Sequence, residues 1–310
     1  MAGEQTIGVD LGGTKCLGVV LDARGQVTAE HRVPTPHGAD AIVEAIAEVA
    51  ARLGPGLPVG VGAPGLVDRD GLLRFAPNLP GVFDLPLRDL LVERLGVDVE
   101  IENDATAACW AERQFGAAQG ATDAVVVTLG TGIGGGIVAD NQLLRGANGF
   151  AGEIGHMVVD PHGPPCPCGK RGCWERFASG SGLGRMARDA AMAGRAARVL
   201  DLADGDAEAV RGEHVTQACE EGDAEAKEIM AQFAWWLALG LVNLAYLLDP
   251  EVFVLGGGLV ASGGVLLDPA RVAFAELLAG VTHRPVVRIE VAALGERAGA
   301  IGAALLARGR

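Results

Sequence analysis

Aromatic side chains are scarce in this 310-residue chain: Phe, Trp and Tyr together make up 4% of it, so the apolar share rests on Ala, Val and Leu. Basic charge is also in deficit, with 25 Lys and Arg against 39 Asp and Glu. The net charge of −14 removes the basic surface on which counterion release at nucleic acid depends. No apolar run reaches the ~20 residues that span a bilayer. The longest, FAWWLALGLVNLAYLL at 233–248, contains Gly240 and Asn243 and follows the acidic helical pattern DAEAKEIMAQ, so it reads as a buried core helix. MAGEQTIGVD has no basic segment followed by an apolar core, so no secretory signal is expected and the cytoplasm is the expected compartment. G-x-x-x-x-G-K-[ST], the kinase H-R-D and a G-x-G-x-x-G opening a helix after the first strand are all missing, which removes P-loop, protein-kinase and Rossmann readings.

Two things are abundant. Nearly half of the residues are hydrophobic, and glycine occurs 47 times, as expected where backbone turns tightly or approaches a ligand. The length exceeds one ordinary domain and predicts two lobes. Strand patterns at 5–11, 15–22 and 27–33 are followed by the helical ADAIVEAIAEVAARL, the strand LPVGVGA, the short helix LRDLLVERL, the strand VDVEI and the helix DATAACWAERQF. From 122 the pattern restarts with strands at 122–130, 133–139 and 142–145. After a long insertion come the helix ending near Leu248, the strand EVFVLGG, the helix DPARVAFAELL, the strand VVRIEVA and a closing helix. The order β-β-β-α-β-α-β-α thus occurs twice, which predicts an α/β protein of two like lobes with a ligand cleft between them.

Each half places a glycine-rich turn after its first strand: DLGGTK at 10–15 and TLGTGIGGG at 128–136. Backbone N–H groups at Gly12, Gly13 and Gly132, the hydroxyls of Thr14 and Thr131 and the Lys15 ammonium are suitable donors to phosphate. Tight hairpins alone would also account for these loops. Asp10, ending an apolar strand, is a candidate for Mg²⁺, a hard cation that takes one or two carboxylates together with phosphate. LGGGL, with Gly256, Gly257 and Gly258, would let a base or ribose lie on the backbone.

ENDATAA at 102–108 stands where a strand gives way to a helix, so Asn103 or Asp104 is a natural N-cap. CPCGKRGCWE at 166–175 crowds Cys166, Cys168 and Cys173 into C-x-C-x4-C among Pro, Gly and charged residues, a pattern for metal and not for a core. Three thiolates and an imidazole make a closed tetrahedral Zn²⁺ site, and spacing leaves both His156 and His162 open as the fourth ligand. Cys16, Cys109 and Cys219 stand alone in strand or helix patterns and read as small buried hydrophobes.

DLGGTK, APGLVD, APNLPG, ENDATAA, TLGTGIGGG, AGEIGH, CPCGKRGCWE and LGGGL, in this order, resemble the ROK family of bacterial sugar kinases, and within it the glucokinases, over essentially the whole chain. The resemblance implies actin-like, ribonuclease-H-like lobes: a small lobe at 1–110, a large lobe with the zinc insertion at 111–297, and a terminal helix at 298–310 returning to the small lobe. It implies ATP, Mg²⁺ and a structural Zn²⁺, phosphorylation of glucose at the 6-hydroxyl, and a dimer or tetramer. By the same resemblance Asp104 is the catalytic base and His156 is the zinc ligand. Glu153, His156 and Glu175 reach the sugar hydroxyls, with Asn78 and Asn103 completing the polar shell and Gly65 lending backbone. Mannose, fructose or an N-acetylhexosamine as substrate, polyphosphate as donor, and a sugar-binding or sugar-sensing protein without turnover share these motifs.

Overall fold

The structure is a computed structural model and describes residues 5–280 and 282–308. The first half runs β1 (Thr6–Leu11), β2 (Lys15–Leu21), β3 (Val27–Pro34), α1 (Ala39–Leu53), β4 (Val59–Ala63), β5 (Leu66–Val67), β6 (Leu73–Phe75), β7 (Phe83–Leu85), α2 (Leu87–Leu95), β8 (Val99–Asn103) and α3 (Asp104–Phe115). The second runs β9 (Ala124–Leu129), β10 (Ile133–Ala139), β11 (Gln142–Leu143), α4 (Glu175–Ala178), α5 (Gly180–Met192), α6 (Ala197–Leu202), α7 (Gly212–Glu220), α8 (Ala224–Leu248), β12 (Val252–Gly256), α9 (Gly264–Leu277), β13 (Arg288–Val291) and α10 (Ala298–Leu306).

The two large sheets have equivalent strand orders, β3-β2-β1-β4-β8 and β11-β10-β9-β12-β13. In the first, β1 pairs antiparallel with β2 and parallel with β4, and β4 pairs parallel with β8. This is the mixed, twice-built α/β architecture expected of actin-like lobes. The chain divides into two compact units, one of residues 1–126, 135–152 and 292–310, the other of 127–134 and 153–291.

In the first unit the strands are read by alternation. Ile7, Val9 and Leu11 of β1 and Val59, Val61 and Ala63 of β4 pack in one core with Ile42, Ile46 and Val49 of α1. The opposite face of the same strands carries Gly8 and Gly60, and α10 lies directly on them. A Cβ on Gly8 would come within 1.8 Å of the Ala300 carbonyl, and one on Gly60 within 1.8 Å of the Ala303 carbonyl. Gly302 brings α10 equally close to Ala107 of α3. Glycine here is a packing requirement, because only a missing side chain lets helix backbone rest on strand backbone.

In the second unit α8 is apolar and long enough to cross a membrane by composition, yet Phe233, Leu237 and Leu241 are fully buried and it packs on α4, α5, α7 and α9. Its Gly240 receives the face of the Trp174 indole, whose atoms lie 2.0–2.4 Å from where a Cβ would stand. The indole N–H donates to the Trp236 carbonyl at 2.8 Å.

Four features escape periodicity. The strand expected at 142–145 stops at Leu143, and the small sheet β5-β6-β7 consists of two- and three-residue strands too short to repeat a pattern. The helix expected from Asp268 begins at Gly264 and carries Pro269 inside, since burial of Leu266 and Leu267 outweighs the local preference for ending there. Within the insertion, α5 (GSGLGRMARDAAM) opens with three glycines in five residues and so lacks a helical signature at its start.

Candidate active site

Packing of α10 against glycine decides the surroundings of Asp10. Its carboxylate ends β1 against the first turn of α10, where a Cβ on Gly299 would meet it at 2.9–3.1 Å. Burial first, and the negative charge of Asp104 second, push the Asp10 carboxyl up to about 7, with Lys15 opposing. A buried carboxylate beside a second acid is the kind of group a hard cation such as Mg²⁺ takes, since its charge would offset both. An acid whose pKa rises on folding penalises the fold only when ionised. The penalty is absent below pH ~4, grows as pH rises toward 7 and is constant above, at up to ~4 kcal/mol. Asp10→Asn is therefore expected to raise the melting temperature of the ligand-free protein at pH 8, by a margin that shrinks steadily toward pH 4 in thermal melts across that range.

At the start of α3 the division of labour between neighbours is resolved. Asn103, extended at φ −62° and ψ 142°, is the N-cap: its Oδ1 accepts the Thr106 N–H at 3.0 Å, while its Nδ2 donates to the Gly65 carbonyl at 3.1 Å. Asp104 is the first helical residue, and its Oδ1 accepts the Ala105 N–H at 2.7 Å. Capping thus does not depend on the Asp104 carboxylate. Gly65, at φ +86°, backs onto the Phe75 carbonyl, and Gly13 lies against Asn78. Gly12 closes the hairpin through its N–H to the Lys15 carbonyl at 2.9 Å, and the Thr14 carbonyl accepts the Thr35 N–H at 3.1 Å. The Lys15 ammonium is engaged by Glu296, which also accepts from Arg32 at 2.7 Å; these two cations, Lys15 foremost, hold the Glu296 carboxyl down to about 2.

The second unit gathers the cysteine run. His156, Cys166, Cys168 and Cys173 bring their ligand atoms within 4.8 Å of one another, and among the described residues this is the group of three or more His, Cys, Asp or Glu side chains able to hold a metal. The Cys168 and Cys173 sulfurs are 3.6 Å apart, and His156 Nδ1 is 3.8 Å from Cys166 Sγ. A tetrahedron with Zn–S near 2.3 Å has edges of ~3.8 Å, so the donor set and its spacing fit Zn²⁺. Gly172, at φ +69°, permits the wrap, because any side chain there would strike the Asp160 carbonyl. His162 lies outside the cluster, its N–H bound to Asp160 Oδ1 at 2.9 Å.

With Nδ1 facing the thiols, His156 turns Nε2 to Glu153 Oε2 at 3.9 Å. Burial raises the Glu153 carboxyl, with His156 opposing and Glu175 adding to the rise. Glu175 follows the anchored Trp174, its Oε1 3.0 Å from Cys166 Sγ and 3.8 Å from His156 Nδ1. Its other oxygen lies 2.7 Å from the place a Cβ on Gly132 would take, so that glycine makes room for the carboxylate. Glu153, His156, Glu175 and the β9–β10 turn therefore converge.

Beside this turn, and within the same unit, lies a cavity of about 1220 Å³. Gly130, Thr131 and Gly258 line one part of it, and the first turn of α5 (Gly180, Ser181) and residues of α7 line the rest, with Arg188 and Arg211. Glycine backbone and the N-termini of two helices are what a polyphosphate chain requires. Gly256 and Gly257 do not line it. Gly256 closes the buried β12, and Gly257, at φ +89°, packs on Leu129. The α5 and α7 contributions were missed from sequence, since they come from ordinary amphipathic helices carrying no motif. Cys16, Cys109 and Cys219 are buried, as expected of isolated thiols.

The pattern of the ROK family matches residues 6–310. A glucokinase of Streptomyces coelicolor is 43% identical over 98% of this chain and 97% of its own, and a glucokinase of Thermotoga maritima is 37% identical over 86% of each. The crystal structure of a ROK family glucokinase from Streptomyces griseus, in complex with glucose and AMPPNP, superposes with a TM-score of 0.87 at 43% identity, covering 98% of this chain and 99% of that one. Motifs in order, twin sheets of one strand order and a full-length match converge on one assignment: this chain belongs to the ROK family.

Proposed function

We propose that the protein is an ATP-dependent glucokinase, transferring the γ-phosphoryl group of ATP to the 6-hydroxyl of glucose in the cytoplasm. The observation that carries this is the capping of α3 by Asn103, which relieves Asp104 of that structural task at a helix N-terminus beside Asp10. Full-length similarity to glucokinases, one of them in complex with glucose and AMPPNP, supports the choice of substrates.

Asp104 accepts the proton of the attacking hydroxyl. A carboxylate of ordinary pKa near ~4 is a weak base for an alcohol, but a loose, metaphosphate-like transition state forms little bond to the nucleophile before the proton leaves, so position outweighs basicity. The cavity along α5 and α7 takes the nucleotide, its phosphates toward Thr131 and Gly258. Lys15 and the DLGGTK backbone of the first unit are donors of the kind phosphate takes, and Lys15 leaves Glu296 to act as one. Asp10 would hold Mg²⁺, which would supply neutralisation of phosphate charge. Glu153, His156 and Glu175, with Asn78 and Asn103, recognise the sugar hydroxyls, and Gly65 supports Asn103 through its carbonyl. His156, Cys166, Cys168 and Cys173 would hold Zn²⁺, which would fix the imidazole through Nδ1 and leave Nε2 toward Glu153, without a part in transfer.

The test is a panel of hexoses at fixed MgATP, ranked by kcat/KM. Glucose is expected to lead, because carboxylates and amides closed on a sugar discriminate strongly against a hydroxyl they cannot pair. Higher kcat/KM on mannose, fructose or an N-acetylhexosamine would move the assignment within the family, and no turnover on any hexose would end it.

A further inference from the structure

Strand β8 carries Glu100 and Glu102 two residues apart and so on one face, immediately before the Asn103–Asp104 turn. Glu102 is only 5% exposed, and a carboxylate so placed must be paired and hydrogen-bonded. Its Oε1 accepts the Asn103 N–H at 3.0 Å, and its Oε2 accepts from Arg145 Nε. The Arg145 guanidinium also lies 3.9 Å from Glu100 Oε1, while Arg88 of α2 donates to the other Glu100 oxygen at 3.2 Å.

Arg145 stands outside every motif. It opens the segment 145–152, which follows β11 and whose chain continues into Glu153. Within the first unit the segment is held at several points besides Arg145. The Gly146 carbonyl accepts from Arg69 Nε at 2.9 Å, and Gly149, at φ +96°, lies so close to the Val67 carbonyl that a Cβ would approach it to 2.7 Å. The Ala151 N–H returns to the Arg145 carbonyl at 3.1 Å.

We propose that Glu102 and Arg145 form a positioning pair that holds the Asn103–Asp104 turn in register with the segment leading to Glu153. The inference rests on the reading of Asp104 as the acceptor of the sugar's proton. Neither residue of the pair touches substrate. One Glu102 oxygen fixes the backbone N–H preceding Asp104, and the other is fixed by a guanidinium whose own backbone is part of the segment. Removing the guanidinium leaves a buried carboxylate with one backbone partner. Its escape toward water pulls on Asn103, and a displacement near 1 Å at reacting groups costs on the order of 10²-fold in rate.

Steady-state kinetics on the full chain test this with Arg145→Met, Arg145→Lys, Glu102→Gln and the double variant Glu102→Gln/Arg145→Met. Arg145→Met is expected to lower kcat for glucose ten- to hundredfold, referred to the folded fraction measured by circular dichroism and thermal melting, while KM for MgATP stays within twofold. Arg145→Lys recovers most of the loss. The double variant loses less than the product of the single losses, because the unpaired buried charge does the damage. A kcat within twofold of wild type in Arg145→Met overturns the proposal, as does a loss that Lys does not recover and that multiplies in the double variant. Should Arg145→Met fail to fold, Arg145→Lys within threefold of wild-type kcat together with a double variant no slower than Glu102→Gln supports the pair, and a double variant slower than Glu102→Gln by tenfold or more overturns it. A wild-type protein inactive on glucose counts against the assigned reaction instead, and the two failures are thereby distinct.

Discussion

Asp104→Asn is expected to lower kcat for glucose phosphorylation by 10²- to 10⁴-fold while leaving the fold intact. The substitution keeps the shape and an amide oxygen able to accept the Ala105 N–H, now bonded at 2.7 Å, and the cap of α3 is Asn103. Losing a negative charge in the first turn costs ~0.3–1 kcal/mol of helix-dipole interaction. Relief of the repulsion with Asp10 offsets part of that, so the melting temperature should change by only a few degrees. The hydroxyl then lacks an acceptor for its proton, and KM for glucose should change far less than kcat, because the missing interaction is made mainly in the transition state. Turnover within tenfold of wild type, in a sample of unchanged melting behaviour, would take Asp104 out of the mechanism.

The second large effect is expected at the thiols. Metal analysis of the purified protein should find about one zinc per chain, and Cys173→Ser should lose it, since a hydroxyl is a poor substitute for thiolate toward Zn²⁺. Cys173 is fully buried, so several degrees of melting temperature should go with the metal. KM for glucose should rise ~10- to 100-fold, the range seen when the groups that orient a site's ligands are removed. KM for MgATP should move within about threefold, because none of the four ligands lines the cavity along α5 and α7. Prolonged chelation should reproduce the same pattern in the unsubstituted protein. A metal-free protein with unaltered KM for glucose would separate the cluster from sugar recognition.

These effects differ in how far they could be anticipated. Alternation in TIGVDL and VGVGA predicts strands because a strand's two faces are written in adjacent residues, and both strands are found. The acidic start and apolar length of the 223–248 stretch predict one core helix for the same local reason, and it is one helix, Ala224–Leu248. By contrast α5 and α7, which line most of the cavity, carry nothing in their residues to say which side of them would face a ligand.

What the amino-acid order alone determined was therefore local: the twice-repeated element order, the glycine turns after β1 and β9, a carboxylate or its neighbour at the head of α3, and a cysteine run suited to metal. Tertiary structure decided between candidates that local chemistry left equal. It set Asn103 as the cap, brought His156 and not His162 to the thiols, gave Lys15 to Glu296 and Glu102 to Arg145, and used Gly8, Gly60 and Gly302 as contact surfaces for α10. The physical reason is range. Backbone preference and periodicity act over a few residues, whereas Glu102–Arg145 and Lys15–Glu296 join side chains 43 and 281 positions apart, whose meeting depends on how whole elements pack.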